Sequence, residues 1–253
     1  MRSLGAVAVF VLLQQAAPVR AADPPPPPLW SGEGTLSYVQ TGGNSESLTI
    51  GSSLRALYQS APWKAELRAA FIRTKTEDLV SAQKFTAQLR GERAFNASVS
   101  AYGQASFLRD RFAGIDSQSI LEAGGLYKLS SGPQHFASVS AGLGFTDEKR
   151  EPPDADRSFA AGRLAVSYHY KINATAELGE DADALADLGD FGDWRANNTL
   201  SLSASISRIL ALRIAHQIAY IHQPVAGKKS TDTTFLASIV AKWPAPAAKG
   251  PCP

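Results

Sequence analysis

Runs in which apolar and polar residues alternate one by one recur along most of this chain, and they constrain its fold more than any other feature. From Trp63 the residues Trp63, Ala65, Leu67, Ala69 and Phe71 share one face of an extended strand, while Lys64, Glu66 and Arg68 share the other. The next run sets Phe85, Ala87 and Leu89 against Lys84, Thr86, Gln88, Arg90 and Glu92. The pattern continues with Val99, Ala101, Ala105 and Phe107, with Val139, Ala141, Leu143 and Phe145, and with Leu200, Leu202, Ala204 and Ile206. It ends with Phe235, Ala237, Ile239, Ala241 and Trp243 opposing Ser238 and Lys242.

About twelve such segments can be drawn, at 30–40, 47–59, 63–73, 81–94, 97–109, 116–129, 135–147, 157–171, 174–182, 194–207, 211–222 and 230–243. Their lengths suit tilted strands that cross a bilayer, which need ~9 to 11 residues each. The connections alternate as well. Short ones fall at Ser60–Pro62, Phe95–Asn96, Ser130–Gln134, Lys171–Asn173 and Ser207–Leu210. Long, charged ones are expected at Thr74–Val80, Asp110–Ile115, Glu148–Asp156, Asp183–Asp193 and Gln223–Lys229, with Thr41–Glu46 short out of turn. Short periplasmic turns alternating with longer outer loops mark an outer-membrane barrel, and an even strand count puts both ends on the periplasmic side.

The choice between water and lipid rests on bulk. Ala, Gly and Leu are too small to fill a soluble barrel of this circumference, but they can face acyl chains while charged residues face a wet interior. The candidate lumen-lining residues are Arg55, Lys64, Glu66, Arg68, Lys84, Arg90, Glu92, Glu122, Lys128, Arg163 and Arg195. Aromatic residues near segment ends, among them Trp30, Tyr58, Trp63, Tyr170, Trp194, Tyr220 and Trp243, fit interfacial girdles. The expected fold is therefore an all-β, transmembrane, antiparallel up-and-down β-barrel over residues 30–243.

The ends agree with export. Arg2 precedes an apolar run from Leu4 to Leu13, and Val19 and Ala21 form a small-residue pair, so residues 1–21 read as a signal peptide cleaved after Ala21. A proline-rich periplasmic segment at 22–29 and a tail at 244–253 flank the barrel. No stretch reaches the ~18 consecutive apolar residues of a membrane helix. With 25 basic and 23 acidic residues spread along the chain there is no basic stripe for nucleic acid. The single Cys252 allows no internal disulfide.

The opening strand from Trp30 to Gln40, followed by Thr41-Gly42-Gly43-Asn44-Ser45-Glu46-Ser47 and a second strand, resembles the salt-induced outer-membrane protein family, the domain of unknown function 481. Gly and Asn in that turn supply the positive-φ positions of a tight hairpin. The resemblance spans about Trp30 to Trp243 and implies a barrel in the outer membrane of a Gram-negative bacterium, without implying an activity.

Catalytic signals are weak. His135, His169, His216 and His222 show no metal-ligand spacing, and no cofactor motif is present. His216 with Ser203 or Ser205 is the one pairing that invites comparison with barrel phospholipases. The acidic stretch Glu180, Asp181, Asp183, Asp187, Asp190 and Asp193 lacks calcium-loop order and reads as a solvated loop. Arg109–Arg111 and Lys228–Lys229 read as surface charge. The expectation is a non-enzymatic monomer that meets outer-membrane lipid, lipopolysaccharide and the barrel insertion machinery. It is either a small channel for hydrophilic solutes or a closed barrel with a structural or envelope-stress role.

Overall fold

A computed structural model describes residues 29–41 and 46–243. The cleavage site at Ala21, the proline segment, the Gly-Gly-Asn turn, and the tail with Cys252 lie outside those residues. Twelve antiparallel strands run β1 Trp30–Thr41, β2 Ser47–Ser60, β3 Trp63–Thr76, β4 Leu79–Ala94, β5 Val99–Asp110, β6 Ile115–Ser131, β7 His135–Arg150, β8 Arg157–Lys171, β9 Ala176–Asp187, β10 Trp194–Ser205, β11 Leu210–Ile221 and β12 Thr231–Trp243. A single 3-10 turn, Arg111–Ala113, joins β5 to β6. Each strand pairs with its neighbours in sequence, and β1 pairs with β12, so the sheet closes into a barrel.

The wall is inside-out by the standard of a soluble protein. Leu121 and Leu143 are 68% and 67% exposed, and Leu36, Leu89, Ile239 and Phe235 share their outward face, whereas Glu66, Glu92, Glu122 and Glu148 are buried. In water such a surface would be a continuous apolar patch far beyond what a monomer tolerates; in a bilayer it is the required one. Among the described residues no helix is long and apolar enough to cross a membrane. Aromatic rings mark the rims, with Trp30 against Tyr58 and Trp194 against Tyr220 at ring separations of 4.9 Å.

At the end carrying Trp30 and Trp243 the connections are short, and three of them share one device. The side-chain oxygen of Asn96 accepts from the backbone amides of Ser98 and Val99 at 2.9 and 2.8 Å. Asn173 does the same for Thr175 and Ala176, both at 2.8 Å, and Ser207 for Ile209 and Leu210 at 3.3 and 3.1 Å. Asn and Ser favour such turns because a short side chain can satisfy amides that have left the ladder. Asn173→Ala is expected to lower stability by about 1 kcal/mol, read as a shift in the urea midpoint of heat-modifiable gel migration.

The long connections depart from expectation in three places, one of them Glu148–Asp156, whose first residues Glu148 to Arg150 complete β7. Thr74–Val80 is not a loop: β3 and β4 continue to a two-residue turn, Glu77 and Asp78, at φ 51° and 62°. Its charged residues disguised strand ends that project beyond the apolar zone. Asp183 to Asp187 likewise belong to β9, which the sequence stops at residue 182. The remaining far-end loops fold over the mouth. The Cα of Gly114, between β5 and β6, faces Val225, between β11 and β12, so closely that a Cβ there would lie 2.7 Å from the valine side chain. Those loops stand on opposite sides of the barrel, so the contact is a strut across the opening. Glu151 donates its amide to the Gly114 carbonyl, and Lys228 reaches Glu151 at 3.8 Å.

The seam between β1 and β12 is the shortest ladder in the barrel. It pairs only Gly32–Ser37 with Ser238–Trp243, against Trp30–Thr41 with Ser47–Tyr58 on the other side of β1.

Candidate functional site: the charged interior

Side chains on strands that are not neighbours meet on only one face of this wall, which identifies the interior. Arg195 of β10 reaches Glu148 of β7 at 2.7 Å, although three strand spacings separate them along the wall, ~14 Å. Arg163 of β8 meets Glu122 of β6 at 3.3 Å, and Arg213 of β11 grips Glu33 of β1 at 2.9 and 3.2 Å. These bonds are chords of a curve and exist only on its concave side.

By strand alternation the eleven residues proposed from sequence stand on that same face. Arg55 and Arg68 both bind Glu66, at 2.6 and 2.5 Å. Lys64 lies between Glu66 and Glu92 at 3.8 and 3.7 Å. Arg90 stacks on Tyr102 with its guanidinium carbon 3.7 Å from the ring centre. Lys84 meets Asp110 at 3.6 Å. Glu122 holds Arg163, which also reaches Asp183 at 3.3 Å. Lys128 has no carboxylate within 4 Å among the described residues.

The sequence reading missed the other half of this interior. Asp181 and Asp183 are wall residues of β9 rather than a solvated loop: Asp181 accepts from Ser167 at 2.5 Å and lies 3.6 Å from His169, whose other ring nitrogen is 3.2 Å from Glu177. Asp187 shares their face, so β9 alone gives the interior four acids and no base. The signal was present as a period of two, Asp181, Asp183, Leu185, Asp187, but the acids masked it. Glu180 points the other way, toward lipid, and accepts from Asn198 at 3.1 Å. Asp193 does lie in a loop, yet it is buried and paired with Arg157.

Opposite β9, six places around the ring of twelve, stands β3. Strands β2 to β4 carry five inward bases, Arg55, Lys64, Arg68, Lys84 and Arg90, against two acids, Glu66 and Glu92. A basic wall therefore faces an acidic one, and Asp181 lies within the electrostatic reach of both Arg55 and Arg68.

Toward the far mouth the interior is packed. Glu148 is fully buried and receives Arg150, Arg157 and Arg195 at 2.6, 3.3 and 2.7 Å, together with Gln118 at 2.5 Å. Beside it Phe159, Ala161, Leu185 and Ile120 form an apolar cluster that fills the β6 to β9 side.

The hydrolase pairing does not assemble. His216 stands opposite Leu200 and Phe235 on the outward face, while Ser203 stands opposite Arg213 and donates no proton to a histidine: its Oγ accepts from the Arg213 Nε at 2.9 Å. Ser205, two residues on, shares the inward face of Ser203, so the wall separates both serines from His216. No cluster of three metal-ligating side chains occurs among the described residues.

The model of a family described as "protein of unknown function, DUF481" matches residues 34–243. The uncharacterized protein YdiY of Escherichia coli (strain K12) is 26% identical over 200 residues, covering 76% of this chain and 75% of that protein. Among solved structures, the NanC porin superposes with a TM-score of 0.52 at 7% identity, covering 84% of this chain and 98% of its own. An outer membrane channel from Pseudomonas putida F1 gives 0.51 at 11% identity, covering 85% and 95%. The likeness to these two is one of fold, that of outer-membrane β-barrels.

Proposed function

The chain belongs to the DUF481 family, and from that premise and its closed barrel we propose that it is a passive channel for small hydrophilic solutes. One observation carries the reading: midway along the interior, Arg55 and Arg68 keep 43% and 51% of their side-chain surface open to water, and Asp181 on the facing wall keeps 50%. A sealed barrel would bury these groups against one another. Ser53 and Ala70, partners across the β2–β3 ladder, are also exposed on the inward face, so the water-filled part of the lumen runs along the β2–β3 side.

The lumen thus has an eccentric form, packed on the β6 to β9 side near the far mouth and wet on the other. A solute passing between Arg55 and Arg68 on one side and Asp181 on the other crosses a transverse field, which orients dipolar and zwitterionic molecules while favouring neither sign strongly. The description of two similarly folded barrels as a porin and a channel is consistent with this role.

The test is single-channel recording of the refolded protein in a planar bilayer. Discrete, long-lived open steps are expected. The strut from Gly114 to Val225 and the Glu148 cluster favour the rival reading, a closed structural barrel. A folded but silent protein that stays silent when residues 224–229 are removed would establish that rival.

A further inference from the structure

The outward face of the wall carries its own charge pattern at one sector of the far rim. Alternation along β3 puts Arg73 and Lys75 on the face of Leu67 and Phe71; along β5 it puts Arg109 on the face of Ala105 and Phe107; along β7 it puts Lys149 on the face of Leu143 and Phe145. Arg111, in the turn after β5, is exposed beside Arg109. Four acids share the sector, Glu77 and Asp78 in the turn just past Lys75 among them. Asp116 lies 3.4 Å from Arg109 and 3.9 Å from Arg111, and Asp147 accepts from Ser158 at 2.6 Å. Among the described residues Arg73, Lys75 and Lys149 have no carboxylate within 4 Å, so three of the five bases are not held in ion pairs.

Directly below, in the apolar zone, the same strands form a shallow groove of about 430 Å³. Its floor is made of small residues, Ala87, Ala105 and Ser119, and its sides of Leu67, Leu121 and Phe145. Phe107 lies on its upper edge, and Arg109 follows two residues later, a step of ~6.6 Å along the strand. The order from the rim inward is therefore cation, aromatic ring, apolar trough.

From this order we infer a binding site for one phosphorylated glycolipid of the outer leaflet, its phosphates on Arg73, Arg109 and Lys149 and one acyl chain in the groove over Ala87 and Ala105. Guanidinium groups suit phosphate because they offer two parallel donors, and an amphiphile is the one partner that needs donors at the rim and an apolar trough beneath them. Sequence alone made Arg109–Arg111 look like scattered surface charge; the register gathers them with Arg73 and Lys149 above one groove.

The test uses the whole mature barrel, titrated with bis-phosphorylated, hexa-acylated lipid A and read by native mass spectrometry. One retained lipid per barrel is expected for the wild type and for Lys228→Gln/Lys229→Gln, whose charges lie elsewhere on the rim. At least a tenfold loss of retention is expected for Arg73→Gln/Arg109→Gln/Lys149→Gln, and likewise for Ala105→Trp or Ala87→Leu, which fill the groove. Heat-modifiable migration identifies the folded variants, and the charge variant decides alone if neither groove variant folds. Millimolar inorganic phosphate is expected not to displace the lipid. Equal retention by wild type and charge variant, or equal retention of dephosphorylated lipid A, would overturn the site.

Discussion

Glu148→Ala is expected to destabilise the barrel by about 3–5 kcal/mol, the range for removing one member of a buried ion-pair group and leaving its partners uncompensated. The glutamate is fully buried and three arginines converge on it. Two of those have second acids, Arg150 with Asp154 at 3.4 Å and Arg157 with Asp193, but Arg195 has none within 4 Å among the described residues. The loss should therefore fall mainly on the β7 to β10 side of the mouth. Arg195→Ala leaves Glu148 with two arginines and should cost markedly less. The double variant should cost less than the sum of the singles, since the second substitution removes the charge the first left stranded. Urea midpoints of heat-modifiable migration measure all three; a Glu148→Ala midpoint within error of wild type would dismiss the cluster as a stabilising element.

Arg55→Gln/Arg68→Gln should move ion selectivity most. It removes two of the five bases on the basic wall and leaves Lys64, 3.8 Å away, to balance Glu66. At an effective dielectric of ~20 and a separation of ~10 Å each charge acts on a passing ion with roughly 1–2 kcal/mol before screening. The cation-to-anion permeability ratio should rise about three- to tenfold in 0.1 M salt, and less at 1 M, where the Debye length falls to ~3 Å. Asp181→Asn should shift it the opposite way. Reversal potentials under a salt gradient give both ratios, and a ratio indifferent to either substitution would place the permeation path away from these walls.

The strand architecture was legible because alternation is a local signal: Trp63 to Phe71 announces its two faces whatever surrounds it. The hairpin ends were not, because strands projecting past the bilayer lose their apolar face. Lys75, Thr76 and the pair Glu77 and Asp78 thus look like loop. The acidic wall failed for a related reason. Glu177, Asp181, Asp183 and Asp187 alternate correctly, but Glu180 and the small residues Ala182, Ala184 and Ala186 offer so little apolar contrast that the period disappears. What no local reading could supply is which charges meet. Arg195 and Glu148, or Glu33 and Arg213, come together only because the sheet closes, and closure is a property of the whole ring.

The short seam bears on how such a ring comes to exist. Eleven of the twelve ladders pair strands consecutive in sequence, so each hairpin can form as its strands arrive; the β1–β12 ladder must bring together ends some two hundred residues apart, a step whose entropic cost comes before any return. It is also the ladder with the fewest rungs to repay that cost, with Trp243 lying over Gly32 at one end and the Ser37–Ser238 hydroxyl pair, 2.7 Å apart, at the other. Of all the ladders it is therefore the one least supported by its own rungs and most dependent on the rest of the sheet being in place.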